Sequence, residues 1–181
     1  MTKSPRQRLA PRLGNGDGRA SSRGTEALSI PIPRDWRTGR AVAAIIVVER
    51  QGYLLQLRDE RSDIWYPGYW GLFGGTLNPG ETPEIALRRE LAEELSLEVA
   101  AMQSFMSMDI GFSFAEGRIY REFFEVRLPA SMLAALRLWE GREMRSWPAC
   151  RLSVLRLVPA DRVALDFHVQ QTRTQPMVSA R

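Results

Sequence analysis

The sequence predicts an α/β protein built as a mixed β-sheet sandwiched between helices. Two observations lead there. Strand-length runs rich in β-branched and aromatic residues lie both before and after an uninterrupted helical stretch at 83–95, so strands and helix alternate along the chain. A second, amphipathic helical stretch follows from 159. The 181 residues are 44% hydrophobic, enough for a real core, and their number suggests one domain with extensions.

Residues 1–37 hold Gly, Ser, Pro and Arg in quantity, few large apolar residues and no periodicity, and read as a disordered basic extension. Residues 1–40 carry nine Lys/Arg against three acids, which leaves the remainder of this +4 chain at a net charge of −2. The basic pI therefore belongs to the extension and says nothing about the ligand of the folded part. An Arg-rich, acid-poor start fits a targeting peptide, a nucleic-acid-binding arm or a misplaced start codon. An inert flexible extension is the plainer reading.

The domain is expected over 38–172, with 173–181 frayed. Its first strand starts near Ala41 (AVAAIIVVER), turns at Gln51-Gly52 and returns as YLLQLRDE, giving a hairpin. An aromatic loop, Trp65 to Trp70, follows. Trp70 is expected in the core, whereas Trp65 and Tyr66 are open to stacking a ligand or lying on the surface. After the helix, 97–114 alternates loosely, with Met102, Met106 and Met108 as core fillers. Gly117 is expected to open the strand RIYREFFEVRL, reached through a turn at Ala115-Glu116-Gly117. A short helical or loop segment (131–138), a strand (141–147) and a connection (152–159) come next. Pro159-Ala160-Asp161 starts the last helix, with Val163/Phe167 and Leu165/Val169 as apolar i,i+4 pairs.

Composition excludes several chemistries. One cysteine, Cys150, permits no intramolecular disulfide and no Cys-based zinc site. The single histidine, His168, lies on the last helix and is expected to be structural or exposed. No apolar run approaches the roughly 18 residues of a membrane span, and no secretory core follows the start, so the expected location is cytoplasmic.

The stretch that carries chemistry is GGTLNPGETPEIALRRELAEELSL, Gly74 to Leu97. Asn78-Pro79-Gly80 is a turn, and Pro83 suits a first helical turn. At about 100° per residue, Glu90, Glu93 and Glu94 share an arc. Leu91, Leu95, Ala92 and Ile85 fall mainly on the far side, where a core is expected. Like charges at i,i+3 and i,i+4 each destabilise a helix by roughly 0.2–0.5 kcal/mol, and Arg89 offsets part of this by pairing with Glu93. Three crowded carboxylates suit a hard divalent cation that keeps water and phosphate oxygens in its shell.

The pattern Gly-x5-Glu-x7-Arg-Glu-U-x-Glu-Glu-x-Gly-U (U aliphatic) resembles the Nudix box. It is matched by Gly75, Glu81, Arg89, Glu90, Leu91, Glu93, Glu94 and Leu97, with Ser96 at the penultimate glycine position. The family's frequent Pro-Gly-Gly is Phe73-Gly74-Gly75 here. The resemblance implies an α/β/α sandwich with a mixed sheet, the box forming a loop-helix-loop. It implies Mg2+-dependent hydrolysis, with Mn2+ as a substitute, of a nucleoside diphosphate linked to some group X.

In that scheme Glu93 and Glu94 are metal ligands, Glu90 is a ligand or the general base oriented by Arg89, and Gly75 contributes its carbonyl. Glu81 is a structural partner of the arginine. Arg58, at the end of the second strand, corresponds to a phosphate-contacting position, with Arg61 a second candidate and Trp65 a substrate contact. Glu140 or Glu143 would supply a base from outside the box, although each reads more simply as a surface carboxylate.

The partner is then a small nucleotide; a nucleic-acid contact through the tail is the less favoured partner, and no membrane is involved. Substrates lean to nucleoside triphosphates, oxidised ones included. Nucleotide sugars, or a non-catalytic nucleotide sensor, are the alternatives.

Overall fold

A computed structural model describes residues 38–112 and 115–174; the expected N-terminal extension lies outside the described residues. Chain order is β1 (Thr38–Val48), β2 (Gly52–Leu57), β3 (Trp70–Gly71), α1 (Pro83–Leu95), β4 (Gln103–Phe112), β5 (Ala115–Leu128), β6 (Glu143–Trp147) and α2 (Pro159–Thr174). Short 3-10 turns occupy Ala130–Ala135 and Ala149–Val154. The strands make one six-stranded sheet, ordered β3-β2-β1-β5-β4 with β6 also pairing with β2. It is mixed, because β1 and β5 are parallel whereas the other pairings are antiparallel. The β1–β2 hairpin forms as expected, with Ile46 opposite Leu54.

β1 explains why its sequence is apolar at nearly every position. Side chains alternate across a strand, so Val42, Ala44 and Ile46 pack with α1 through Leu87, Leu91 and Leu95. Ala43 and Ile45 pack on the opposite face with Leu152, Ala164 and Leu165. A strand covered on both faces needs no polar side. The methionines fill as expected, Met102 on the α1 side and Met106 and Met108 on the α2 side. Trp70 is half-buried against the second core, edge-on to Trp147 at 5.2 Å. Among the described residues no helix is long and apolar enough to cross a membrane.

The faces of both helices differ from the sequence expectation. On α1 the buried residues are Ala86, Leu87, Leu91, Glu94 and Leu95, while Ile85 is 55% exposed and Ala92 is exposed. The packed arc is rotated toward Glu94, which puts Ile85 almost opposite its centre and draws one carboxylate into the protein. On α2 Val163 and Phe167 are exposed. The other expected pair holds, with Leu165 buried and Val169 packed against the second core, and Asp161, Ala164 and His168 complete the buried face. His168 is structural. Its Nδ1 meets the Tyr53 hydroxyl at 3.0 Å and its Nε2 meets Glu125 at 2.7 Å, bridging helix and sheet.

β5 is already paired at Ala115, opposite Phe112, so Gly117 lies inside the strand and the reversal falls before it. Register shifts along the β4–β5 ladder absorb the offset that the sequence pattern assigned to a later turn. α2 runs to Thr174, into the stretch expected to fray; residues 175–181 lie outside the described residues.

The helix end departs in residue type but not in geometry. Ser96 takes the left-handed conformation (φ 53°, ψ 34°), with its amide donating to the Ala92 carbonyl and the Leu97 amide to the Leu91 carbonyl. A left-handed non-glycine residue costs roughly 1–2 kcal/mol. Here the serine hydroxyl accepts the indole N–H of Trp139 at 2.8 Å, a contact glycine cannot make. Ser96→Ala, keeping the strain and losing the contact, is expected to destabilise by about 1 kcal/mol. Ser96→Gly, losing both, should fall within about 1 kcal/mol of the parent and above the alanine variant. Urea denaturation of the three proteins checks this order.

Candidate active site

The site forms where the segment after β3 crosses beneath α1. The Phe73 carbonyl accepts the Ala44 amide and the Gly75 carbonyl accepts the Val42 amide, both at 2.9 Å, so this segment lies along β1. Its other side faces the helix. The Gly74 amide donates to Glu94 at 2.9 Å, and a Cβ placed on Gly75 would stand 2.5 Å from the Glu90 carboxylate. No residue larger than glycine fits there with Glu90 in place. Gly74, at φ 134°, adds a conformation that favours glycine. The two departures from the box leave this cradle intact, because Phe73 is fully buried in the α1-side core.

Arg89 organises the carboxylates. Its guanidinium holds Glu81 through two bonds, Nε to Oε1 at 2.8 Å and a terminal nitrogen to Oε2 at 3.0 Å. It also holds Glu90 at 2.7 Å and the Thr76 carbonyl at 3.0 Å. The i,i+4 partner Glu93 is farther, at 3.7 Å, so the helical pairing anticipated from spacing is the weakest of the set. The Arg89 hydrogen bonds and the Asn78 amide hold Glu81 down at a pKa of about 2, so it stays ionised and locks the turn to the helix.

Electrostatics divides the remaining acids. Glu94 is 6% exposed; burial pushes its pKa up to about 8, and the charges of Glu140 and Glu90 add to the rise against the Gly74 amide and Arg58. Glu90 is raised too, chiefly by burial, with Arg89 opposing and Glu93 and Glu140 contributing. Glu93, with a side chain 63% exposed, faces solvent at the rim.

Of the two acids outside the box, Glu143 is engaged by Arg145 on β6 at 2.6 Å. Glu140 is the one whose charge reaches the buried carboxylates. Its loop is pinned on both sides: the Trp139 amide donates to the Glu94 carbonyl and the Arg142 amide to the Leu57 carbonyl.

The expected substrate contacts separate. Arg58 is partly buried beside the acids: its Nε donates to the Trp65 carbonyl at 2.7 Å, burial lowers its pKa, and Asp161 and Glu140 oppose that shift. Arg61 makes a two-bond pair with Asp63 at 3.0 and 2.6 Å on the surface, and the charge of Glu140 reaches it as well. Trp65 is half-buried, and it is its backbone carbonyl that touches Arg58.

Sequence reasoning passed over Asp161, read only as the start of the last helix. Its carboxylate is 2% exposed, accepts the Leu72 amide at 2.9 Å and pairs with Arg121 at 2.8 Å. An acid in a first helical turn has an ordinary explanation in the helix dipole, which conceals any other use.

The residues fit a hard divalent cation. Available donors are all oxygens, the class Mg2+ and Mn2+ prefer, and the glycine cradle brings Glu90 against backbone. Among the described residues no three acidic, histidine or cysteine side chains already enclose an ion-sized space, since Glu90 is turned to Arg89 and Glu94 to Gly74. The raised pKa values of Glu90 and Glu94 mark where positive charge would be most favourable.

Comparison with known proteins agrees with this geometry. A family model described as the NUDIX domain matches residues 37–172. A nucleoside triphosphatase NudI of Enterobacter is 40% identical over 73 residues, 39% of this chain and 50% of the relative. An Escherichia coli NudI is 42% identical over 57 residues, 31% of this chain and 39% of the relative. The matched part thus spans half or less of these curated relatives. Among solved structures, a MutT protein from Methanosarcina mazei Go1 superposes with a TM-score of 0.64 at 20% identity, covering 78% of this chain and 99% of that one. The E. coli ORF135 protein gives 0.63 at 26%, covering 78% and 95%. The box, the cradle beneath its helix and the sheet that carries them place this chain in the Nudix family.

Proposed function

We propose that the protein is a Mg2+-dependent pyrophosphohydrolase of nucleoside triphosphates, oxidised ones included. One observation carries the reading: Glu94 and Glu90 converge from α1 on the Gly74–Gly75 segment, Glu94 on the Gly74 amide at 2.9 Å and Glu90 where a Gly75 Cβ would stand. Burial, with the charge of Glu140 adding to it, raises the pKa values of both, and the solvent-facing Glu93 and the cationic Arg58 lie nearby. Such an acidic cluster needs a cation, and a cation beside an arginine suits a polyphosphate. The triphosphate class rests on likeness to relatives named nucleoside triphosphatase.

Glu93 and Glu94 would hold the metal, with the Gly75 carbonyl, whose second lone pair remains after its bond to Val42. When bound, Mg2+ supplies charge neutralisation at phosphate oxygens and acidifies the attacking water. The chain's own groups do the rest. Glu90, held by Arg89, is placed to ligate or to take the water's proton, and Glu140 is the acid outside the box with access to the same space. Arg58, fixed by the Trp65 carbonyl, meets phosphate charge. Because this chemistry is mostly positioning and electrostatic stabilisation, the rigid Glu81–Arg89–Glu90 chain is itself part of the catalyst.

The test is release of phosphate or pyrophosphate from nucleoside triphosphates, 8-oxo derivatives, nucleotide sugars, dinucleotides and ADP-ribose, with and without Mg2+. Mg2+-dependent turnover of triphosphates is expected. Preference for nucleotide sugars would move the substrate class, and silence from folded protein across the panel would favour a nucleotide sensor.

A further inference from the structure

The structure assigns Asp161 a positioning role: with Glu94 it fixes the outer edge of the segment Leu72–Gly75, from the helix on the other face of the sheet. This rests on the proposed metal site and extends it to α2. One edge of the segment is satisfied by β1, through the Phe73 and Gly75 carbonyls. The amides of Leu72 and Gly74 receive no strand. The Leu72 amide donates to Asp161 Oδ2 and the Gly74 amide to Glu94 Oε2, both at 2.9 Å. Two buried carboxylates, one from each helix, thus replace a neighbouring strand.

Room for this contact is specific. A Cβ on Gly71 would lie 3.1 Å from Asp161 Oδ2, 3.3 Å from Val158 and 3.8 Å from Arg58 Cδ. The bare glycine lets the carboxylate reach the next amide. The charge also has partners: Arg121 pairs with it at 2.8 Å, and Arg58 feels both Asp161 and Arg121. Asp161 therefore stands as shared counter-ion between two partly buried guanidiniums. A buried ion pair is a poor source of stability compared with apolar packing, so stability alone does not account for it. Holding the segment that bears Gly75 while Glu94 is recruited to a cation does.

The expected behaviour of Asp161→Ala has three parts. Amide hydrogen exchange of the 72–75 segment quickens at least about tenfold relative to that in α1 around Leu91. Mn2+, titrated alone and read by electron paramagnetic resonance, binds about tenfold more weakly, the scale of a lost supporting contact. With dGTP as probe, kcat falls by about tenfold or more while KM moves less than about threefold. Asp161→Asn keeps an acceptor for the Leu72 amide and should restore slow exchange.

Should the alanine variant fail to fold, Asp161→Leu with Arg121→Met replaces the pair by apolar groups of similar size and still removes the acceptor. Folded variants whose 72–75 exchange and Mn2+ affinity stay within about twofold of the parent would overturn the assignment. Exchange is read without turnover or metal, so a parent protein that binds no Mn2+ would sink the metal reading and leave the Asp161 contact to be judged on exchange.

Discussion

Glu93→Gln should lower Mg2+-dependent hydrolysis by about 10²–10³-fold and leave the melting temperature within about 2 °C of the parent. The rate effect follows from losing a charged metal ligand where the cation contributes several kcal/mol to the transition state, at about 1.4 kcal/mol per tenfold. The fold should be indifferent, because the Glu93 side chain is 63% exposed and its nearest ion-pair partner, Arg89, stands 3.7 Å away with shorter bonds to Glu81 and Glu90. Steady-state kinetics beside thermal melting checks both halves. Unimpaired turnover would remove Glu93 from the metal site, and a large drop in melting temperature would mean that it has a structural use.

How far the sequence could be read depended on what kind of contact decided each residue's place. β1 and the β1–β2 hairpin were legible because a buried strand needs an apolar run and a glycine marks the reversal. The turn itself falls at 49–51, however, and Gly52, at φ 101°, already lies in β2, paired with Val48. The box was legible because its spacing is local: Glu81 to Arg89 spans one turn and two turns of helix, and the structure closes that pair with two hydrogen bonds. The pairing of Arg61 with Asp63, two residues on, was not legible, because sequence does not show which acid a surface arginine takes up.

The rotation of α1 that exposes Ile85 and buries Glu94 was not legible. A hydrophobic pattern ranks residues by polarity, and it puts a carboxylate inside only if the Gly74 amide waiting for it is known. Asp161 failed for the same reason. Its partners, Leu72 and Arg121, lie 89 and 40 positions away in the chain and meet it only after the sheet has formed.

Glu94→Gln separates stability from activity more sharply. In the metal-free protein the Glu94 pKa stands at about 8, against an ordinary 4.5, because the charge is buried and faces Glu140 and Glu90. A raised folded-state pKa means that the native protein binds the proton more tightly than the unfolded chain does. The associated stability is complete below about pH 4.5 and is lost as pH rises through about 8. The metal-free parent should therefore lose stability across that window, and Glu90, shifted the same way, adds to the loss.

The side-chain amide of the Glu94→Gln variant would keep an acceptor for the Gly74 amide and has nothing to ionise. At about pH 8.5 the variant should exceed the metal-free parent by on the order of 2–4 kcal/mol, since each tenfold difference in proton affinity between the folded and unfolded states is worth roughly 1.4 kcal/mol. The two proteins should converge near pH 4.5, where the unfolded carboxylate also takes its proton. Turnover of the variant should fall at least about a hundredfold. Mg2+ should reverse the parent's trend, raising its melting temperature more at about pH 8.5 than at about pH 6, because the ion competes with a proton for Glu94. Chelation should remove the gain. Melting curves with and without chelator at three pH values decide it. A parent whose metal-free stability is flat from about pH 5 to about 8.5 would show that Glu94 does not carry a buried charge. A cation would then have nothing to relieve there, and the reason for gathering these acids would have to be sought elsewhere.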